Sequence, residues 1–288
     1  MLIRYLCRLM KNWVIYPIVC VMLMSTLACN RSFNKVLKNP DPKYKLEKAY
    51  EYYNQGKYEK AQPLFEEHLT LNKGIKNSEE VLFLYAYCYY YMRDYTMAAF
   101  YFKNFISSYP SSKHTEEAAY MMAVCYEKES PRYSLDQTNT YKAIEQYQSF
   151  ANRYPNSEKM TDVNAALDRL RDKLQKKAYE SAYLYYKIRQ YQAATVALKA
   201  LLKDQPDIDN KDKIQYYVVK SSFLYAENST SSKKLERYES TAKECTTFRE
   251  SYPQSVYAKE VESIYQKALS QIKIYQNYEQ SGKEKRRK

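Results

Sequence analysis

An all-α array of helical hairpins is the fold class that this chain predicts, and two observations carry it. The 288 residues include only 3 Gly and 9 Pro, too few turn-formers for a β-rich fold, while 45% are hydrophobic, enough for a large core. Within 167–206, small, aromatic and aliphatic residues recur at the spacing of a 34-residue helical hairpin. Ala182, Tyr185, Tyr191, Ala194, Leu198, Leu201 and Pro206 take positions 8, 11, 17, 20, 24, 27 and 32 of that unit, with Arg189-Gln190 at its turn.

This is the tetratricopeptide (TPR) register, and applied along the chain it gives a superhelical array of about five TPR-like hairpins closed by a C-terminal capping helix. Repeat one starts near Pro42, with Ala49, Tyr52, Gly56, Tyr58, Ala61 and Phe65 at positions 8, 11, 15, 17, 20 and 24. Small residues are required at 8 and 20 because the two helices of a hairpin approach most closely there. Repeat two places Ala86, Tyr89, Tyr95, Ala98, Phe102, Phe105 and Pro110 on the same pattern. Repeat three keeps Ala123 and Tyr126, but the polar, proline-marked insertion around SPRYSLDQTN delays Ala143, Tyr147, Phe150 and Pro155, which predicts a long surface loop.

After Pro155 no breaker occurs until Arg189-Gln190. A helix of about thirty residues, capped by Ser157 and much longer than the usual 11 to 12, is therefore expected to act as a spine leading into repeat four. Repeat five fits Ser222 and Tyr225, then Thr241, Cys245, Phe248 and Pro253 after an insertion around ENSTSSK. The segments that follow are a signal at 1–28, a tether at 29–41, repeats one to three at 42–155, and the long helix, repeats four and five and the cap at 156–275. The basic tail at 276–288 is expected to be disordered.

The N-terminus has the order of a secretory signal. Arg4, Arg8 and Lys11 precede an apolar run from Trp13 to Leu27 and an Ala28-Cys29 junction. About 15 apolar residues are short of the roughly 20 that span a bilayer. A cysteine at the junction is what lipoprotein processing needs, so Cys29 is expected to carry diacylglycerol and an N-acyl chain and become the new N-terminus. Leu27 stands two residues before the cysteine, where the common lipobox has leucine three before it. Asn30, rather than Asp, follows the cysteine and gives an outer-membrane address, with the body facing the periplasm.

Much of the net charge of +13 lies in that leader and in the terminal Lys283 to Lys288 block, so it does not argue for nucleic acid. Cys88, Cys125 and Cys245 form no CxxC pair and no metal spacing with His68 or His114, and read as small buried hydrophobes. No phosphate loop, metal cluster or nucleophile triad is visible, so no catalytic residue, metal or further cofactor is expected.

The 35 tyrosines exceed what a core can absorb without a partner for each hydroxyl. In a TPR array, first-helix positions 2, 5, 9, 12 and 13 line the concave groove. Here they include Leu46, Tyr50 and Tyr53 in repeat one, Phe83, Tyr87, Tyr90 and Tyr91 in repeat two, Tyr120 in repeat three, and Tyr179, Tyr183, Tyr186 and Lys187 in repeat four. Tyrosine offers rigid apolar area with a polar tip, suited to holding a partner peptide; packing between neighbouring repeats is the other use of the same side chains.

The Cys29 junction, five TPR-like units, the endings Tyr109-Pro110-Ser111-Ser112, Tyr154-Pro155-Asn156-Ser157 and Tyr252-Pro253-Gln254-Ser255, and the block RLRDKLQKKAYESAYLYYKIRQYQAA together resemble the BamD family. These are lipoproteins of the machine that inserts β-barrel proteins into the bacterial outer membrane. The resemblance implies a non-enzymatic scaffold. Its first repeats would receive the C-terminal signal of an unfolded outer-membrane protein client at Tyr50, Tyr53, Phe83, Tyr87, Tyr90, Tyr91 and Tyr120. Its last two would dock the periplasmic domains of BamA, the barrel-forming partner, around Tyr179, Tyr183, Tyr186 and Lys187, alongside other subunits of the machine. Two alternatives stand beside it: a periplasmic TPR lipoprotein that scaffolds cell-wall enzymes, and a glycan-binding surface lipoprotein.

Overall fold

A computed structural model describes residues 32–71 and 78–287, with side chains to Tyr278. The signal segment, Cys29 and the start of the tether lie outside the described residues. Helices α1 (32–37), α2 (Pro42–Asn54), α3 (Tyr58–Leu71), α4 (Ser78–Tyr91), α5 (Tyr95–Ser108), α6 (Thr115–Glu129), α7 (Thr138–Arg153), α8 (Met160–Lys187), α9 (Tyr191–Asp204), α10 (Lys211–Glu227), α11 (Ser231–Ser251) and α12 (Ala258–Arg287) follow in order, and no strand occurs among the described residues. The chain is all-α, and α2 to α11 form the five expected hairpins. They fall into two compact units: one holds residues up to 131 and 137–167, the other 132–136 and 168 onwards. The long helix α8 gives its first residues to the first unit and the rest to the second.

The small-residue positions do what the register requires. Ala49 and Ala61, Ala86 and Ala98, Ala123 and Ala143, and Ala194 are all fully buried, and Ala182 nearly so. A larger side chain there would force the two helices apart. Repeat five has Ser222 and Thr241 instead, and their hydroxyls meet at 3.0 Å, so the pair is buried without an unsatisfied group.

Each hairpin turn in repeats one, two and four uses a left-handed residue at position 15: Gly56 (φ 71°), Arg93 (φ 65°) and Arg189 (φ 63°). The bonding is the same in all three. The next residue donates back to the position-11 tyrosine carbonyl, as Lys57 N to Tyr52 O (2.8 Å), Asp94 N to Tyr89 O (3.0 Å) and Gln190 N to Tyr185 O (2.8 Å). This satisfies carbonyls that a helix end leaves without partners.

The Tyr-Pro-x-Ser endings form a second recurring joint. Tyr109, Tyr154 and Tyr252 each donate their N–H to the phenylalanine four residues earlier at 2.8 Å and pack against its ring. The serine hydroxyl that closes each motif donates to a carboxylate in the first turn of the preceding first helix: Ser112 to Glu79, Ser157 to Glu116 (2.5 Å) and Ser255 to Asp212 (2.7 Å). It also accepts the backbone N–H two residues on, at 3.0 to 3.2 Å. Ser157 is therefore a joint residue in a turn, and α8 begins at Met160, three residues later than the expected cap.

Two boundaries differ from expectation. The insertion in repeat three is the loop 130–137, but that in repeat five is absorbed by helix lengthening, leaving only 228–230 between α10 and the 21-residue α11. Helix α12 runs to Arg287, through the residues expected to be a disordered tail, because Gln, Glu, Lys and Arg favour helix and no proline interrupts them.

Gly56 has open space where a Cβ would stand, so Gly56→Ala tests backbone conformation alone. It should destabilise the first unit by about 1 kcal/mol, and Arg93→Gly should stabilise it by a similar or smaller amount, both read from chemical denaturation. Ser157→Ala, which leaves Glu116 without its donor, should cost about 1 to 3 kcal/mol in the same assay.

Candidate protein-interaction surface

In the first unit the tyrosines are spent partly on packing and partly on an open row. Position 12 meets position 17 of the same hairpin, as Tyr53 with Tyr58 (5.4 Å) and Tyr90 with Tyr95 (5.6 Å). Tyr91 stacks on Tyr58 at 4.4 Å and 17°, and on Tyr87 at 5.7 Å and 26°, while remaining 47% exposed. Tyr50 lies edge-on to Phe65 at 5.5 Å, and Tyr120 lies edge-on to Phe150 at 5.9 Å with the Lys159 ammonium 5.5 Å from its ring.

Two of the residues expected to face a ligand do not. Phe83 and Tyr87 are buried, at 6% and 9% exposure. Phe83 packs with Phe102 and Phe105 and stacks on His114 at 4.5 Å; Tyr87 packs on Phe102 and reaches the next repeat. The second helix of their own hairpin covers most of both rings, so these side chains belong to the core.

The hydroxyls explain how. Tyr87 at position 9 donates to Glu117 at 2.5 Å, and Tyr50 at position 9 faces Glu80 at 3.5 Å. Glu80 and Glu117 are the position-2 residues of the following repeats, which the register could have flagged beside the aromatics. Burial and, next, the Glu117 carboxylate push the Tyr87 hydroxyl far above the tyrosine range. Tyr50 is pushed up to about 12 by burial and then Glu80, and Tyr53 is raised mainly by burial. All three stay protonated donors at neutral pH.

The second unit carries a different row. Tyr179, Tyr183 and Tyr186 stack along α8 at 5.5 Å with interplanar angles of 7° and 16°, and Tyr183 and Tyr186 both pack on Tyr217. Lysines lie over these rings: Lys187, paired with Glu180, is 4.9 Å from the Tyr183 ring, Lys213 5.2 Å from Tyr179, and Lys220 5.1 Å from Tyr216. Lys220 also donates to Tyr216 Oη (2.6 Å) and Glu260 (3.0 Å), whose carboxyl is held below the usual range by bonds from Tyr216 and Lys220. The buried Tyr179 hydroxyl has no hydrogen-bond partner among the described residues and borders a cavity lined by Gln175, Lys176, Ile208 and Lys213. Tyr216, Tyr217, Lys213 and Lys220 were not singled out from sequence: the groove register continued into repeat five reaches only Tyr216, at position 2, and the other three lie off the groove positions.

Among the described residues no group of His, Cys, Asp and Glu is placed to hold a metal. Cys88, Cys125 and Cys245 are buried free thiols.

The family model YfiO, described as an outer membrane lipoprotein, matches residues 39–213, well over half of the chain. The chain belongs to this family. No helix among the described residues is long and apolar enough to cross a membrane. No curated protein matches the chain. Two solved structures are similar to it. The TPR2AB domain and pHSP90 complex of yeast Sti1 is 14% identical, with 79% of this chain and 98% of that one covered and a TM-score of 0.37. A thermophilic TPR protein of Thermus thermophilus is 15% identical, with 80% and 99% covered and a TM-score of 0.32. At such scores neither decides anything further about this outer membrane lipoprotein.

Burial raises the thiols of Cys88, Cys125 and Cys245 to about 12, with smaller carboxylate contributions at Cys125 and Cys245. In the unfolded chain a thiol ionises near about 8.5. The folded state therefore holds the extra protons, and stability present below about pH 9 is lost as pH rises toward about 12. The melting temperature should fall between pH 8 and pH 10.5, and fall less in a variant with all three cysteines replaced by alanine; equal slopes would show that the thiols are not responsible.

Proposed function

We propose that this outer membrane lipoprotein is a non-enzymatic subunit of the β-barrel assembly machine, anchored through a lipidated Cys29 and facing the periplasm. The observation that carries the reading is the pair of tyrosine rows, one on each unit, borne by a member of a lipoprotein family. In this reading the first unit receives an unfolded outer-membrane protein client, and the second docks the periplasmic domains of BamA.

The chemistry of the first row supports an extended segment as ligand. Tyr53, Tyr90 and Tyr91 present aromatic faces, on which alternate side chains of a strand can lie. Glu80 and Glu117 beside them are acceptors for its N–H groups or for cationic side chains. A free chain-terminal carboxylate suits the Lys159 end of the row, where the ammonium lies 5.5 Å from the Tyr120 ring. Phe83 and Tyr87 hold this surface in shape from beneath. The second row, with Tyr183, Tyr186, Tyr217 and the Lys213 ammonium over Tyr179, suits a partner surface that offers apolar groups to the rings and a carboxylate to Lys213.

Tyr91→Ala removes exposed contact area without opening the core. It should weaken binding of a client-derived peptide about tenfold, the scale of one aromatic anchor, with the melting temperature nearly unchanged. Tyr87→Ala, by contrast, should lower the melting temperature, because it leaves a cavity and removes the donor to Glu117. Titration by fluorescence anisotropy against the purified body separates the two. Client affinity untouched by Tyr91→Ala would remove the first row from the site, and failure to recover BamA with detergent-extracted, tagged protein would remove the machine assignment.

A further inference from the structure

The cavity beside Tyr179 lies wholly within the second unit, between α8, the loop before α10 and the first turn of α10. Its volume is about 200 Å³, the share of about seven water molecules in the liquid, which suits a small molecule and not a folded surface. The floor is apolar, with Ile208 and Ile214 at 4% and 1% exposure. The Tyr179 hydroxyl is buried there with no hydrogen-bond partner among the described residues, and burial holds it above the ordinary tyrosine range. It is a protonated donor that lacks an acceptor.

Charge is graded from this floor to the mouth. Lys213, half-buried, holds its ammonium 5.2 Å from the Tyr179 ring, while the ion pairs Lys187–Glu180 and Lys220–Glu260 lie elsewhere in the unit. The neighbouring Asp212 carboxylate is already engaged, accepting from Ser255 at 2.7 Å and from the Lys213 backbone N–H at 2.8 Å. Asn210, left-handed at φ 54°, makes no side-chain capping bond, so the positive end of α10 adjoins the same volume. The mouth is acidic by contrast: Asp172 and Asp209 are exposed there, and Lys176 lies over the Tyr133 ring at 4.7 Å. Gln175 accepts the Asp209 N–H at 3.4 Å, which ties the loop to α8. Asp172 stands two turns before Tyr179 on the same face of α8, about 10 Å along it.

We propose that this cavity binds a small amino-carboxylate whose two charges lie at opposite ends of an aliphatic body. The carboxylate accepts from the Tyr179 hydroxyl and pairs with Lys213, the body lies on Ile208 and Ile214, and the ammonium meets Asp172 and Asp209 at the mouth. Each part of the lining excludes an alternative. An apolar molecule leaves the buried hydroxyl unsatisfied, and a simple amine brings a second donor to it. A dianion sets its outer charge against two aspartates. The proposal rests on the cavity and not on the BamA reading; a partner carboxylate reaching Lys213 would compete with the ligand.

The probe is 6-aminohexanoate, titrated calorimetrically into the purified full chain in detergent with no partner present. Hexanoate, which lacks the ammonium, and hexylamine, which lacks the carboxylate, are titrated beside it. Saturable one-to-one binding of 6-aminohexanoate is expected, with hexanoate about tenfold weaker and hexylamine not bound. Tyr179→Phe deletes only the hydroxyl, and Lys213→Met deletes the charge from a similar stem; each should weaken the probe about tenfold. Because that hydroxyl has no partner within the chain, Tyr179→Phe should leave the melting temperature level or slightly raised, where a structural hydroxyl would lower it. Asp172→Asn with Asp209→Asn should bring 6-aminohexanoate to the level of hexanoate without weakening hexanoate. No saturable binding of 6-aminohexanoate, unchanged affinity in Tyr179→Phe, or hexanoate or hexylamine bound as tightly as the probe overturns the proposal. Failure to recover BamA leaves it standing, and failure of the probe leaves the BamA reading standing.

Discussion

Close approach of two helices at an alanine pair is the contact on which the rest of the structure depends. With Ala at positions 8 and 20 the two backbones of a hairpin come together, and the aromatics at 11, 17, 24 and 27 fill the space around that contact. Because the pair recurs, each hairpin presents similar surfaces to its neighbours within a unit. Where the pair is polar, at Ser222 and Thr241, a mutual hydrogen bond preserves the close approach.

The tyrosine excess follows from that repetition. A phenol can pack like phenylalanine only if its hydroxyl finds a partner, and the array offers partners at fixed offsets. Position 9 reaches the acid at position 2 of the next repeat, and Tyr85 and Tyr89 share the Gln62 amide. Position 31 packs on the phenylalanine before it, and the serine that follows fastens each ending to an acid of the first helix. Much of what composition marks as a binding surface is the array's own mortar. The tyrosines that remain open, Tyr91, Tyr141 and Tyr185 among them, are the ones free to meet another protein.

The two units differ in what accompanies the rings. Glutamates accept from tyrosines of the first row, while lysines lie over the rings of the second, two of them paired with Glu180 and Glu260. One scaffold thus carries two tyrosine-rich surfaces, in a family of outer membrane lipoproteins.

By itself the sequence determined the all-α class, the five hairpins, the register of each and the buried role of the three cysteines, because these follow from local periodicity and from small residues at fixed spacing. It also placed the turn at Arg189 and the long α8 within a few residues. What only the tertiary structure decided was which register positions remain exposed. Phe83 and Tyr87 sit at groove positions and are buried, while Tyr185 sits at a packing position and is exposed. Exposure depends on whether a neighbouring helix covers a given face, and the 34-residue pattern read one repeat at a time does not contain it.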